Sequence, residues 1–163
     1  GIIQALRNGW LNSVAMLANG RKIDTSIEKI KPFFEDKTVD IGCHFTMNSG
    51  MALSKEMREN QNFTYNGHFR PFFNMNIDRI LRKSNLEKNM HDLKKEIEAQ
   101  IDMLTSKNIT VSHLSSHFNV LHFYPDFLKA QFEVLEQEKY RQIKIRSTNI
   151  SPKASLETPL LTL

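Results

Sequence analysis

Apolar residues recur along the chain with two periods, and these periods predict most of the regular structure. From Asn85 onward they recur every three or four positions with Lys, Glu and Asp between them, which is typical of an amphipathic surface helix. The apolar positions of this helix are Leu86, Met90, Leu93, Ile97, Ile101 and Leu104. Between Val39 and Met47 the period is two, which predicts a strand. Its two faces carry Ile41, Cys43, Phe45 and Met47 on one side and Gly42, His44 and Thr46 on the other.

Shorter patterns predict the elements of the first third of the chain. The first nine residues indicate the last turns of a helix that a glycine ends. The apolar run from Trp10 to Ala18 favours a buried strand, because it is short and an Asn-Gly pair ends it. Ile23 to Phe34 has helical spacing, with Asp24 or Thr25 as the predicted N-terminal cap.

The remainder of the chain continues the alternation of helix and strand. Residues 48–74 have no lasting period and are predicted to form a long irregular connection. Ile109 to Leu121 has strand character, and Pro125 opens a predicted helix that continues to about Lys139. The buried stripe of that helix is predicted to consist of Leu128, Phe132 and Leu135. Ile143 to Arg146 is one more short strand, and residues 147–163 hold two prolines and no usable period.

This order of elements predicts an α/β fold with a parallel sheet. A length of 163 residues suits one domain over residues 1–163. Hydrophobic residues make up 40% and charged residues 25% of the chain, as in ordinary globular proteins. The chain begins with Gly1 in a helix that has no start signal, so we expect another segment of the protein to precede it.

Charge and cysteine content restrict the partners and the compartment. The net charge of +4 comes from 22 basic and 18 acidic residues, and no run of like charge forms the clustered footprint that nucleic acid binding needs. The single cysteine, Cys43, cannot form an intramolecular disulfide, which fits a cytoplasmic protein. No apolar run approaches the roughly 20 residues needed to cross a bilayer. We therefore expect a cytoplasmic protein without nucleic acid or membrane partners.

Histidines near predicted strand ends are the candidates for chemistry. Parallel α/β folds collect reactive groups at the carboxyl ends of their strands, where His44 and His117 fall. On strand spacing, His113, Ser115 and His117 share one face. Neutral imidazole binds zinc and similar ions, so His44 and His117 are candidate metal ligands, although a site needs at least a third ligand. Structural or merely exposed histidines are the alternative interpretation.

Two other residue types carry a functional and a structural interpretation. Cys43 alternates with apolar residues and is predicted to be a small core residue rather than a nucleophile. Phe69, Phe72 and Phe73 offer an apolar wall for a sugar ring, or they form a satellite cluster under the loop.

Several segments together resemble the YdjC-like family, which includes chitooligosaccharide deacetylase. Ile41 to Met47 resembles the family's strand motif I-G-x-H-x-T-L, and Ser112 to Val120 resembles T-H-x-D-S-H-x-H-V. Glu96 to Ile101 is similar to the E-x-x-A-Q helix that precedes the second motif. Ile143 to Arg146 resembles a later I-R strand, and Gly1 to Asn19 resembles the helix, glycine and strand after the family's first motif.

The resemblance implies an irregular (β/α) barrel similar to a TIM barrel, of which this chain is an incomplete portion. It also implies one divalent metal ion, Mg²⁺ or Zn²⁺, bound by an aspartate and two histidines. The two histidines correspond to His44 and His117. The aspartate belongs to an A-D-D-F-G segment expected before Gly1, and a further histidine, in an H-P-G segment, is expected beyond Leu163.

The activity implied by the resemblance is removal of acetyl groups from N-acetylated sugars or oligosaccharides. In that hydrolysis the metal and a base activate water, the metal polarises the amide carbonyl, and an acid protonates the leaving amine. The candidates for second-shell or substrate contacts are His113, Ser115, Asn119 and Arg146.

Two departures from the family pattern leave an alternative open. Ser115 stands where most members have Asp, and Asn119 replaces a histidine. A noncatalytic member that binds carbohydrate on the same scaffold is therefore the alternative. A further prediction is that the helix from Asn85 to Lys107 serves self-association, for example as a dimer.

Overall fold

The computed structural model of the protein describes residues 1–146, so the predicted irregular stretch 147–163 lies outside the described residues. The helices are α1 (Ile2–Arg7), α2 (Ile23–Glu35), α3 (Lys55–Glu59), α4 (Ile77–Leu81), α5 (Lys83–Thr105) and α6 (Pro125–Leu135). The strands are β1 (Ser13–Met16), β2 (Asp40–Phe45), β3 (Thr64–Tyr65), β4 (His68–Phe69), β5 (Val111–Ser116) and β6 (Lys144–Ile145). Short 3-10 helices cover Phe72–Asn74, His117–His122 and Glu138–Tyr140.

A parallel sheet of four strands forms the centre of the fold, in the order β1-β2-β5-β6. Strand order follows chain order, so each connection advances by one strand in the same direction. Right-handed crossovers then place the connecting helices on one face of the sheet, as in (β/α) barrels. The predicted α/β class with a parallel sheet is confirmed. The barrel itself stays a prediction with which this strand order is consistent.

The main core lies between the sheet and α5, which packs against β2, β5 and α6. Leu93, Ile97, Ile101 and Leu104 of α5 are at most 1% exposed, as the helical stripe predicted. The apolar face of β2 packs against α5. Its residues Ile41, Cys43 and Phe45 are at most 2% exposed. Burying each such aliphatic or aromatic side chain contributes about 1.5–3 kcal/mol.

A bulge in β5 decides which side chains reach the opposite face of the sheet. Ile41 of β2 pairs with Val111, but the next residue, Gly42, pairs with His113, so Ser112 is the extra residue. After the bulge, His113 and Ser115 lie in register with Gly42 and His44. The polar strip of β5 therefore shares a face with His44.

The long connection after β2 contains regular structure, so the prediction of an irregular loop over residues 48–74 was wrong. It holds α3, the antiparallel hairpin β3–β4 and a 3-10 turn. The hairpin turn is Asn66-Gly67, and both residues have positive φ, 50° and 76°. Asn-Gly is the preferred sequence of this two-residue turn, because both positions must adopt left-handed conformations.

Several predicted boundaries also need correction. The strand in the run from Trp10 to Ala18 is confined to Ser13–Met16. The N-cap of α2 is Lys22, without a side-chain cap, so neither predicted cap residue has that role. The predicted strand 109–121 ends at Ser116, where the chain turns into a 3-10 helix.

The predicted stripe of α6 was partly wrong: Leu135 is buried as predicted, but Leu128 is only half-buried and Phe132 is exposed. Phe132 is 47% exposed, whereas Phe127 and Val134 are fully buried, and α6 ends at Leu135 rather than near Lys139. The sequence pattern did not define the buried face, because α6 has apolar residues on more than one side. Within residues 1–146, no helix combines the length and the apolarity needed to cross a membrane.

Candidate active site

The candidate site lies at the carboxyl ends of β2 and β5, where the sequence placed it. His44 is the penultimate residue of β2 and lies in register with Ser115 of β5. His117 follows directly after β5 as the first residue of a 3-10 helix. Adjacent parallel strands end at the same edge of the sheet, so residues far apart in sequence meet here.

The two histidine rings are in direct contact. Nδ1 of His117 lies 3.2 Å from Nε2 of His44. The ring centroids are 5.3 Å apart and the ring planes are nearly perpendicular, at 85°. Two nitrogens bound to one ion at about 2.0–2.1 Å are themselves about 3 Å apart. The spacing of this pair therefore suits two ligands of one cation.

Ser115 fixes the orientation of His44. Its Oγ lies 2.8 Å from Nδ1 of His44, on the side of the ring opposite the contact with His117. A hydrogen-bond partner on the far nitrogen of a ligand histidine selects its tautomer and the rotation of its ring. With Nδ1 bonded to Ser115, Nε2 is the nitrogen that His44 presents to His117 and to an ion.

Burial favours the neutral form of His44. It lowers the pKa of His44 below the ordinary value, and the charge of His117 lowers this pKa further. A metal ligand must be the neutral imidazole, so the environment of His44 favours the form that binds metals.

A cleft of about 400 Å³ opens beside the histidine pair. Its lining residues are Ala15, His44, Ser115, Ser116, Phe118, Asn119 and Arg146. Three of the predicted substrate or second-shell residues, Ser115, Asn119 and Arg146, thus meet in one cleft. Nη1 of Arg146 donates to Oγ of Ser13, 2.8 Å away, which joins the last described residue to β1.

His113, the fourth predicted contact residue, does not line this cleft. It is 4% exposed and lies against Gly42, where a Cβ atom would be 2.2 Å from its Nε2. Oγ of Ser112 donates to the carbonyl of Ile41, so this hydroxyl accepts from Nδ1–H of His113. Burial, followed by the charge of Arg146, lowers the pKa of His113. His113 is therefore a packed residue on the same face of the sheet as His44, and its lowered pKa favours the neutral form.

Phe118 is a cleft residue that the sequence did not indicate. Phe118 and Asn119 both have left-handed backbone conformations, with φ of 55° and 53°. Such a conformation costs a non-glycine residue about 1–2 kcal/mol. The sequence predicted a strand through Leu121, so it gave no sign of the turn at residues 117–122 that exposes Phe118.

Buried side chains of α5 hold the loop that follows His44. The side chain of Gln100 bonds both peptide groups of Thr46: Oε1 accepts from the amide N–H at 3.1 Å and Nε2 donates to the carbonyl at 2.7 Å. The carboxylate of Glu96 accepts from the N–H groups of Leu53 and Ser54 and from Gln100. These two residues of the E-x-x-A-Q segment therefore fix the backbone next to the site.

Cys43 has the structural role predicted for it. It is fully buried, and burial, with a smaller effect from the Glu96 carboxylate, raises the pKa of its thiol to about 12. A thiol in this state is a packing group rather than a nucleophile. The proposed sugar-binding wall is not formed, since Phe69 is buried in the core and Phe73 is 97% exposed.

Two side chains of the candidate site, His44 and His117, could serve as ligands of a metal ion. Two neutral imidazoles suit Zn²⁺ or a similar divalent ion. Within residues 1–146, no group of three or more His, Cys, Asp or Glu side chains converges on one position. His44 and His117 thus fit the ion that the resemblance implies, but further ligands must come from outside the described residues.

A second, larger cavity of about 820 Å³ lies at the opposite end of the sheet. Its walls include Asp24 of α2, Asp40 at the start of β2 and Lys107 after α5. None of the predicted site residues lines it. The chemistry of the side chains, rather than cavity size, identifies the cleft beside His44 as the candidate site.

These features define a class: parallel α/β proteins whose strands follow in chain order and whose site lies at the carboxyl ends of the strands. The family model described as YdjC-like protein matches residues 1–161. The chain therefore belongs to the YdjC-like family.

Relatives of the chain include two named carbohydrate deacetylases. Carbohydrate deacetylase 1 of Listeria innocua is 27% identical over 159 residues, which are 98% of this chain and 59% of that protein. Carbohydrate deacetylase of Thermoanaerobacter pseudethanolicus is 23% identical over 163 residues, 100% of this chain and 59% of that protein. The chain thus spans about three fifths of the length of these relatives.

A solved structure supports the fold. A protein from Enterococcus faecalis, titled a cellobiose-phosphate cleavage protein, superposes with a TM-score of 0.69 at 21% sequence identity. The match covers 94% of this chain and 54% of that chain. At this identity the likeness shows a shared fold.

Proposed function

We propose that the protein is a metal-dependent hydrolase that removes acetyl groups from N-acetylated sugars or oligosaccharides. The observation that carries the proposal is the contact between His44 and His117, oriented by Ser115, at the mouth of a cleft. Membership of the YdjC-like family and the names of the two relatives support the same reaction class.

In this proposal His44 and His117 hold one divalent ion, Mg²⁺ or Zn²⁺. When bound, such an ion supplies Lewis acidity toward the carbonyl of the acetamido group. Ser115 keeps Nε2 of His44 directed toward the ion by accepting a hydrogen bond from Nδ1–H. A carboxylate ligand would come from outside residues 1–146.

The other cleft residues bind the substrate. Arg146 and Asn119 present donor groups to the hydroxyl or carbonyl oxygens of a sugar, and their position beside His44 brings the acetamido group to the ligand pair. The cleft lining includes no carboxylate, so the water-activating base and the acid for the leaving amine are also expected outside the described residues. A cytoplasmic location and a dimeric state remain predictions.

Release of acetate from N-acetylated chitooligosaccharides by the complete protein tests the proposal. We expect turnover with an added divalent ion and a loss of about a thousandfold or more in the His44→Ala variant, because a ligand is removed. The matched control is His91→Ala, an exposed histidine of α5, which should retain full activity. Absence of acetate release by the metal-loaded wild-type protein contradicts the proposal.

A second candidate, a noncatalytic carbohydrate-binding protein, is favoured by the hydroxyl of Ser115. A hydroxyl is a weaker acceptor than a carboxylate and leaves His44 less basic as a ligand. Under this candidate, the complete protein binds sugar, purifies without a divalent ion and cannot be loaded with one.

A further inference from the structure

Phe118 is an exposed aromatic residue in the wall of the candidate site. It is 71% exposed and lines the same cleft as His44, Ser115 and Arg146. Single exposed apolar residues are common on protein surfaces and need no explanation alone. This one directly follows a candidate ligand, His117, and adopts a left-handed conformation that bulky residues rarely have.

The turn that carries Phe118 is anchored on both sides. Val120 and Leu121 are fully buried, and Oγ of Ser116 accepts from the backbone N–H of Leu121 at 3.1 Å. The ring of Phe118 packs on the imidazole of His117, with 4.4 Å between the ring centroids. The fold therefore holds the strained backbone in place and presents the aromatic ring at a fixed position beside the ligand pair.

We propose that Phe118 is the platform on which the apolar face of a pyranose ring packs, so that the acetamido group points toward His44 and His117. A pyranose has a face of C–H groups and an edge of hydroxyls. The cleft has the matching composition, an aromatic ring with Arg146, Asn119 and Ser115 around it. The orientation of the acetamido group rests on the proposed function, whereas the packing of the sugar on Phe118 does not.

The competing explanation is that another part of the polypeptide covers Phe118. In that case the ring stabilises the fold and never contacts sugar. The two explanations differ in what a flat aromatic side chain contributes. Phe118→Leu keeps an apolar side chain with similar backbone strain but has no flat face, and Phe118→Trp keeps the flat face.

The test measures the affinity of the complete, metal-stripped protein for N,N′-diacetylchitobiose by calorimetry, so that no turnover occurs. We expect the dissociation constant to rise about tenfold in Phe118→Leu and to stay near the wild-type value in Phe118→Trp. Thermal unfolding should shift little in either variant. Trp10→Leu, at an exposed aromatic residue before β1, is the matched control and should bind like wild type.

Any of three results overturns the inference. The wild-type protein does not bind the disaccharide, or wild type and Phe118→Leu bind it with equal affinity. The third is weaker binding together with a lower melting temperature in both Phe118 variants. Failure of the proposed function has a different signature. The metal-loaded wild type then releases no acetate, although the Phe118→Leu variant still binds the disaccharide more weakly.

Discussion

In the proposed metal site, the hydroxyl of Ser115 is the group that would influence how strongly His44 binds the ion. Its Oγ lies 2.8 Å from Nδ1 of His44, at the position where the resemblance to the family motif leads us to expect Asp. A carboxylate makes a charge-assisted hydrogen bond and raises the basicity of the imidazole, whereas a hydroxyl only orients the ring. The structure therefore shows which atom the residue at this position contacts, namely Nδ1 of His44.

Substitution at Ser115 should change metal affinity in both directions. We expect Ser115→Ala to weaken binding of Zn²⁺ by about tenfold to a hundredfold, because His44 loses its orienting partner, and Ser115→Asp to strengthen it. Competition with a chromophoric chelator measures both. Ser112→Ala is the matched control, since it removes the same atom from the same strand but contacts His113 instead. Equal affinities for all four proteins would show that Ser115 has no such role.

Gly42 is required because the ring of His113 occupies the space of its missing side chain. The Cβ of Gly42→Ala would lie 2.2 Å from Nε2 of His113, so one of the two must move. We expect a loss of about 1–3 kcal/mol in the free energy of unfolding, measured by chemical denaturation. In a His113→Ala background the same substitution should cost much less. An undiminished cost in that background would contradict the clash.

At the scale of elements, α5 both forms the core and positions the loop after β2. The hydrophobic period of this helix was sufficient to predict its buried stripe. Its polar residues were not interpretable from sequence, because Glu96 and Gln100 bond backbone groups that are 42 to 54 positions away in the chain. Such long-range contacts leave no local pattern.

The carboxyl of Glu96 should make stability depend on pH. Burial raises its pKa, although hydrogen bonds from Leu53, Gln100 and Ser54 oppose the shift. A carboxyl with a raised folded-state pKa contributes stability that is full below its unfolded pKa and is lost as the pH rises through the folded value. The free energy of unfolding of wild type, compared with that of Glu96→Gln, should therefore decrease as the pH rises above the ordinary carboxyl value of 4.5.

Glu96→Gln should nevertheless be less stable than wild type by about 1–3 kcal/mol, because its NH₂ group cannot accept from the N–H groups of Leu53 and Ser54. Denaturant titrations at several pH values measure both effects. The control, Glu98→Gln on the more exposed side of α5, should change stability by less than about 1 kcal/mol. A gap between wild type and Glu96→Gln that widens with rising pH would contradict this account.

Other elements were predicted less well for identifiable reasons. Apolar residues on several sides of α6 concealed its buried face. The strands beside the Asn66-Gly67 turn have only two residues each, too few to show a period. The β5 bulge at Ser112 did not disturb the predicted face of His113 and Ser115, because it precedes both residues.

For the molecule as a whole, the four parallel strands of the described sheet follow one another in chain order. The chain covers 59% of the relatives named above, and the described residues supply two candidate ligands rather than three. The sequence identified His44 and His117 through motif resemblance, and the structure brings them into contact. It could not identify Phe118, whose exposure depends on a strained turn within a segment predicted as strand.

The proposed function depends most on His44 and His117 binding one ion together. The direct measurement is the Zn²⁺ affinity of the complete protein, compared with His44→Ala, His117→Ala and the double variant. If both rings bind the same ion, each single variant should lose at least about a hundredfold in affinity, and the double variant should lose much less than the product of the two effects. Affinities unchanged by either substitution would contradict the account.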